Sequence, residues 1–312
     1  VFFCYKSKTA YNKSMNTQNI VITLLALLLI GGGAYWLLNS GSELETDSAT
    51  ETMPVEPDGG IGDGAQPLDE LIGEGDMEDT LTYASQTVIG SSVDGTAITA
   101  FHFGNGSDEM VLVGGTHGSY SANTHELAEE FITYLGANES LVPDNMRVTV
   151  IPTVNPDGLA AGGTTGRFNA NNVDINRNFD CDWARTSMWR QQEVSGCTAA
   201  FSEPEARAIR DYVSEINAVG AIVWFAAEGK VYPSACGGNP SAASTNLANV
   251  FGDAAGFGVD QEFDAYTING DMVNWMAKEG VPAISVLLTD RNGIEWDKNE
   301  AGFKAVLSAL SN

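Results

Sequence analysis

The chain has 312 residues, 43% of them apolar, enough for one large domain or two small ones with a sizeable buried core. Its 41 acidic residues outnumber 15 basic ones, for a formal charge of −26, which excludes nucleic-acid binding by the chain as a whole because phosphate is repelled. Four cysteines are too few for a disulfide scaffold of this size, and no short repeat period suggests a solenoid.

Residues 1–18 form a short N-terminal segment with Lys6, Lys8 and Lys13 and no acid before the apolar run. Residues 20–38 (IVITLLALLLIGGGAYWLL) carry no charge over about 19 residues, the length that crosses a hydrocarbon core as a helix. Tyr35 and Trp36 near its end suit a membrane interface. The expectation is one transmembrane helix over 19–38, an uncleaved signal anchor, because neither an Ala-x-Ala site nor a lipidation cysteine follows. The three lysines place the N-terminus in the cytoplasm and the rest outside it. Met15 is an alternative start; residues 1–14 would then be an artefact of the gene model, and those lysines would be lost with Cys4.

Residues 39–80 hold acids from Glu43 to Asp79 with no base and no aromatic ring. Such a segment cannot bury enough apolar surface to offset its ordering entropy and reads as an extended, self-repelling linker. From 81 to 312 the texture is that of a folded α/β domain. MVLVGG (110–115), RVTVIPT (147–153), GAIVWF (220–225) and PAISVLL (282–288) read as buried strands. Helical stripes separate them: Leu127, Phe131 and Leu135; Ala206, Ile209, Val213 and Ile216; and Phe303, Val306, Leu307 and Leu310. Ser202 is expected to cap the second of these helices, with Glu205 closing a capping box. Alternating strands and helices imply a parallel or mixed sheet covered on both faces. Ligands then bind at the carboxyl ends of the strands, so the loops after 115, 153, 225 and 288 should hold the site.

The loop after the first of those strands contains Gly115-Thr116-His117-Gly118. The next contains Asn155-Pro156-Asp157-Gly158, then Arg167, then Asp174-Ile175-Asn176-Arg177-Asn178-Phe179, followed by Phe201-Ser202-Glu203-Pro204-Glu205. Residues 81–312 with these motifs resemble the zinc carboxypeptidase family, the carboxypeptidase A type of metallopeptidase. The resemblance implies a mixed sheet of roughly eight strands between helices, a peptide substrate with a free C-terminal carboxylate, and zinc as cofactor. Asn176 and Arg177 match the pair that clamps that carboxylate. Arg167 matches the residue that polarises the scissile carbonyl and steadies the oxyanion, roles that suit a fixed guanidinium. The alternative for Arg167 is a structural pairing with an acid such as Asp174 or Asp180.

The metal half of the resemblance is missing. The family needs three protein ligands, an open position for water and a Glu base. His117 matches the first ligand. Tyr120, or Ser121 with one extra residue, stands where the Glu ligand belongs. Phe225 stands at the second His, and Leu287 in place of the general base. His125 is expected to face solvent or cap a helix, and His102 to be a satisfied strand residue. Glu228 is a candidate replacement ligand, though with His117 it makes only two. By resemblance Tyr266 lies on the mobile substrate side of the cleft and Val273 near the position that sets side-chain preference. Cys181 and Cys197 bracket about 15 residues and are expected to pair outside the cytoplasm, for about 3 kcal/mol, leaving Cys236 unpaired. A pairing through Cys236 and three free thiols are the alternatives.

These features describe a membrane-anchored, extracytoplasmic carboxypeptidase-like pseudoenzyme without bound zinc. Its expected partners are peptides or peptidoglycan-derived carboxylates, and no nucleic acid. The rival reading is an active metallocarboxypeptidase or amide hydrolase with a non-standard metal site or a metal-free pair of Glu228 and Arg167; an inert scaffold is the third.

Overall fold

The computed structural model describes residues 85–312. The expected anchor at 19–38, the acidic linker and the N-terminal segment lie outside the described residues. Among those described, no helix is long and apolar enough to cross a membrane.

The chain forms β1 (Ser85–Ser91), β2 (Ala97–Phe103) and β3 (Asp108–Val113), then α1 (Ala122–Ala137), β4 (Met146–Ile151) and the short α2 (Pro156–Ala161). A hairpin, β5 (Thr186–Trp189) and β6 (Gln192–Ser195), precedes α3 (Pro204–Glu215), β7 (Ala218–Ala226) and β8 (Lys230–Pro233). The last elements are α4 (Ala242–Ala255), β9 (Gly258–Val259), α5 (Met272–Lys278), β10 (Ala283–Leu288) and α6 (Trp296–Leu310). The main sheet is mixed and has 8 strands in the order β1-β2-β4-β3-β7-β10-β8-β9. Its centre is parallel: β3 pairs with β4 and β7, and β7 with β10.

The sheet is buried on both faces, as its apolar runs predict. Met110 and Leu112 point into a core shared with Leu127 and Phe131 of α1, Phe251 of α4 and Phe303 of α6. Val111 and Val113, one residue out of phase, point into a second core with Ile209 of α3 and Trp275 of α5. The period of two along a strand separates the two layers. Asn155 caps α2 by accepting from Gly158 N at 2.9 Å, and Ser241 caps α4 by accepting from Ser244 N at 3.0 Å.

Some local expectations are corrected. Glu203, not Ser202, is the N-cap of α3, and its side chain makes no capping bond. Ser202 Oγ instead accepts from Asn178 Nδ2 at 3.0 Å, and Glu205 reaches away to accept from Val93 N at 3.0 Å. Tertiary partners here outcompete the local box. Cys181 is bonded to Cys236, not to Cys197, with Cα atoms 5.8 Å apart. Neighbourhood in space, 55 residues apart in sequence, overrides the short loop. His125 neither caps nor faces open solvent: its Nδ1 lies 2.7 Å from Thr153 Oγ1, tying α1 to the loop after β4. His102 is satisfied as expected, by Thr149 Oγ1 at 2.9 Å and Thr87 Oγ1 at 3.1 Å.

Candidate active site

From β3 the chain passes to β4 on one side and later to β7 on the other. That divergence opens a crevice at the strands' carboxyl ends, where an α/β sheet binds its ligands. A cleft of about 1180 Å³ lies there, lined by residues from the loops after β3, β7 and β10 together with Arg167, Asn176 and Arg177.

Glycines set the depth of its floor. A side chain at Gly118 (φ +42°) would meet Gly158 C and Gly166 O at 2.5 Å. One at Gly166 would meet Ser119 Oγ at 1.8 Å. Three loops thus pack backbone against backbone, which only glycine allows, and the next residue, Arg167, is turned into the cleft. Its Nη2 and Nε donate to Asp174 Oδ2 at 2.7 and 3.1 Å. Its guanidinium lies 4.4 Å from the centre of the Trp189 ring and 5.7 Å from that of Tyr120. Burial pushes this arginine's pKa down, while Asp174 pushes it back. For Asp174 burial acts upward, but the guanidiniums of Arg167 and Arg177, with His117 and the hydrogen bond from Arg167, outweigh it and hold the carboxyl at about 2. The pairing alternative for Arg167 therefore holds, and the same side chain still lines the cleft.

Asn176 and Arg177 sit on a tight turn started by Asp174, whose Oδ1 accepts from Asn176 N at 3.2 Å. Asn176 Oδ1 accepts from Met272 N at 3.0 Å, which orients the amide against α5. Arg177 is 1% exposed. It donates to Asn176 O at 2.6 Å and Met188 O at 3.3 Å, while its Nε is buried without a partner. Tyr266 lines the cleft with its ring centre 6.0 Å from this guanidinium. Nearby Asp271 is buried at the cleft wall, and burial raises its carboxyl to about 6 despite the helix-cap bond and Arg177. Val273 is corrected: it packs in the second core and does not line the cleft.

At the metal end, His117 is buried, its Nδ1 has no hydrogen-bond partner, and Asp174 Oδ1 lies 3.9 Å away. Burial, with Arg167, Arg177 and Arg291 acting in the same direction against Asp174, holds His117 well below its ordinary pKa, so the ring is neutral. Its ring faces Phe225 at 5.6 Å between centres. Phe225 and Leu287 are direct neighbours across the β7–β10 ladder and both line the cleft. Tyr120 packs edge-on against Trp189 at 5.0 Å. Glu228 lines the outer cleft, 3.7 Å from Lys230 Nζ. Among the described residues, three metal-binding side chains converge only at Cys181, Asp182 and Cys236, where the disulfide leaves no thiolate. One imidazole beside phenyl, leucyl and phenol groups is not a donor set that fits zinc.

Two cleft residues escaped the sequence reading. Trp189 comes from the β5–β6 hairpin, which carries too few residues for a periodic signal. Arg291 follows β10, in a loop that the strand-end rule points to. Its Nη2 donates to Ala226 O at 3.0 Å and its guanidinium lies 4.3 Å from the centre of the Tyr120 ring.

The layered mixed sheet and arginine-lined cleft at its strand ends define an α/β domain with a switch-point ligand site. The sequence profile of the zinc carboxypeptidase family matches residues 80–233, and this segment belongs to that family. Bacteriocin BCN5 of Clostridium perfringens is 26% identical over 242 residues, 75% of this chain and 26% of that protein. Carboxypeptidase D of Anas platyrhynchos is 36% identical over 86 residues, 24% of this chain and 6% of that one. The chain thus spans only a minor part of both relatives. Among solved structures, the murein-tripeptide amidase MpaA from Escherichia coli O157 shares the fold with a TM-score of 0.54 and 20% identity, over 72% of this chain and 91% of that one.

Proposed function

We propose that this protein is a membrane-anchored, extracytoplasmic carboxypeptidase-family domain that binds peptides by their free C-terminal carboxylate and does not cleave them. The observation that carries this reading is Arg177: a guanidinium 1% exposed, lining the cleft, whose hydrogen bonds go to two carbonyls and whose Nε has no partner. A carboxylate would supply the anion it lacks, through paired N–H donors. Phe225 and Leu287, which by resemblance replace a zinc ligand and the general base, form an apolar wall where the water-activating centre would be. No zinc is expected to be retained. Peptides of the cell wall, of the kind for which the murein-tripeptide amidase is named, and those of secreted proteins are the natural ligands. The apolar run 20–38 and the lysines before it support a cytoplasmic N-terminus and an outward domain, and the Cys181–Cys236 disulfide suits an oxidising compartment.

Titration of the full chain with a short acetylated peptide and its C-terminal amide tests the reading. The acid should bind, while the amide and the Arg177→Ala variant should each lose about 10-fold or more, as expected for a charge-assisted pair. Equal binding by wild type and Arg177→Ala would sink the proposal. Retention of about one zinc per chain after dialysis against trace zinc, with hydrolysis of the peptide, would favour the active-hydrolase reading centred on His117.

A further inference from the structure

The cleft holds a second cation that the carboxylate clamp leaves unused. Arg291, like Arg177, has no carboxylate within ion-pair reach among the described residues; its hydrogen bond goes to the Ala226 carbonyl, and its Nε is buried without a partner. Arg177 is buried and Arg291 half-buried with its Nε shielded from water; cations drawn out of water are costly unless paired, so each has a place for an anion from the ligand. Its place is specific. The loop after β10 brings it to the end of β7, with its guanidinium 4.3 Å from the centre of the Tyr120 ring. Arg167 approaches the same ring, but Asp174 already neutralises it. The aromatic face holds Arg291 in position without cancelling its charge. The outer cleft is acidic, through Asp182, Glu228, Glu262 and Asp264. Those groups are exposed and screened by salt, whereas Arg291 acts at contact distance.

We infer that the cleft selects ligands with two anionic groups: a terminal carboxylate on Arg177 and a second carboxylate on Arg291. Peptides ending in Glu or Asp are then its preferred class. The inference rests on the peptide-binding reading above and specifies its ligand.

The test is calorimetric titration of the full chain with three peptides: acetyl-dialanyl-glutamate, acetyl-dialanyl-glutamine, and the C-terminal amide of the latter. The Glu peptide should bind about 10-fold or more tighter than the Gln peptide, the size of one charge-assisted contact. Arg291→Gln should bring the Glu peptide to the affinity of the Gln peptide, and Arg291→Lys should keep part of the preference. Equal affinity for Glu and Gln peptides in the wild type overturns the inference with no variant needed, as does a preference that survives Arg291→Gln. If the Gln acid still outbinds its amide, the carboxylate reading stands by itself. If neither acid binds, or the amide binds as well as the acid, both readings fall.

Discussion

Asp174→Asn tests whether the cleft floor is held by charge. Asp174 is fully buried; it accepts two bonds from Arg167 at 2.7 and 3.1 Å and one from Asn176 N at 3.2 Å. Asparagine keeps the shape and one acceptor but leaves Arg167, 3% exposed, without a counter-charge. Breaking a buried pair from one side costs about 3–5 kcal/mol. The Trp189 ring, 4.4 Å from the guanidinium, is present in both proteins and cancels in the difference, so the variant should be about 3–5 kcal/mol less stable at pH 7. The pH dependence is a second, independent signature. Asp174 sits at about 2 when folded, against 3.8 as the ordinary value. Its ionisation therefore stabilises the fold above pH 4 or so, by about 2 kcal/mol, and that contribution is lost as pH falls from about 4 to about 2. Roughly half should be gone by pH 3. Urea unfolding of the full wild-type and variant chains at pH 7, 4 and 3, followed by tryptophan fluorescence, measures the difference, in which all unchanged groups cancel. A difference that stays constant from pH 7 to 3, or a variant as stable as wild type at pH 7, would refute the argument.

Glu205 points the other way. It is fully buried, and burial raises its carboxyl to about 7 against the pull of its bonds from Asn169 and Val93, with Glu203 adding to the rise. A raised folded pKa stabilises below the ordinary value of 4.5 and is lost as pH climbs to about 7. Glu205→Gln should therefore gain about 3 kcal/mol relative to wild type between pH 4.5 and pH 7, read from denaturant midpoints at both ends; a pH-independent difference would show that Glu205 ionises normally. Joint replacement of Cys181 and Cys236 by alanine should cost about 4 kcal/mol in the loop-entropy model. Unfolding of the double variant beside reduced and oxidised wild type measures it, and no difference between the oxidised wild type and the variant would remove the disulfide from the account.

The central strands were legible because they are buried on both faces, which forces apolar runs such as Met110–Val113. β1 was not: most of SQTVIGS is exposed on the sheet edge, so burial leaves no pattern in it. The short β5, β6 and β9 are held by neighbours rather than by their own sequence. In the site, His117, Arg167, Asn176 and Arg177 were legible because the motif compresses them into a few loops. Arg291 and Trp189 were not, since each gains meaning only when distant loops converge on Tyr120. The partner of Cys181 and the position of Val273 failed for the same reason: proximity in the chain stood in for proximity in space.

The persistence of the motif is not in itself an argument for binding. Asp174 supports the fold through Asn176 N and neutralises Arg167, so loss of either member of that pair would cost stability whether or not a ligand exists. Asn178 is likewise structural, donating to Gly196 O and Ala199 O and accepting from Glu203 N. Selection for stability alone would preserve these residues whether or not the domain catalyses a reaction. Arg177 and Arg291 are different. The side-chain hydrogen bonds of each go to carbonyls, each leaves its Nε buried and unpartnered, and neither has an ion-pair partner among the described residues. Stability alone favours an apolar or smaller side chain at such positions, because a buried or half-buried cation without an ion pair is a cost. Arg177 feels Asp174 and Asp271 through space, yet neither carboxylate accepts a hydrogen bond from it, and Arg291 has no ion pair among the described residues. The two arginines without ion pairs, rather than the longer motif around them, are therefore what point to an anionic ligand.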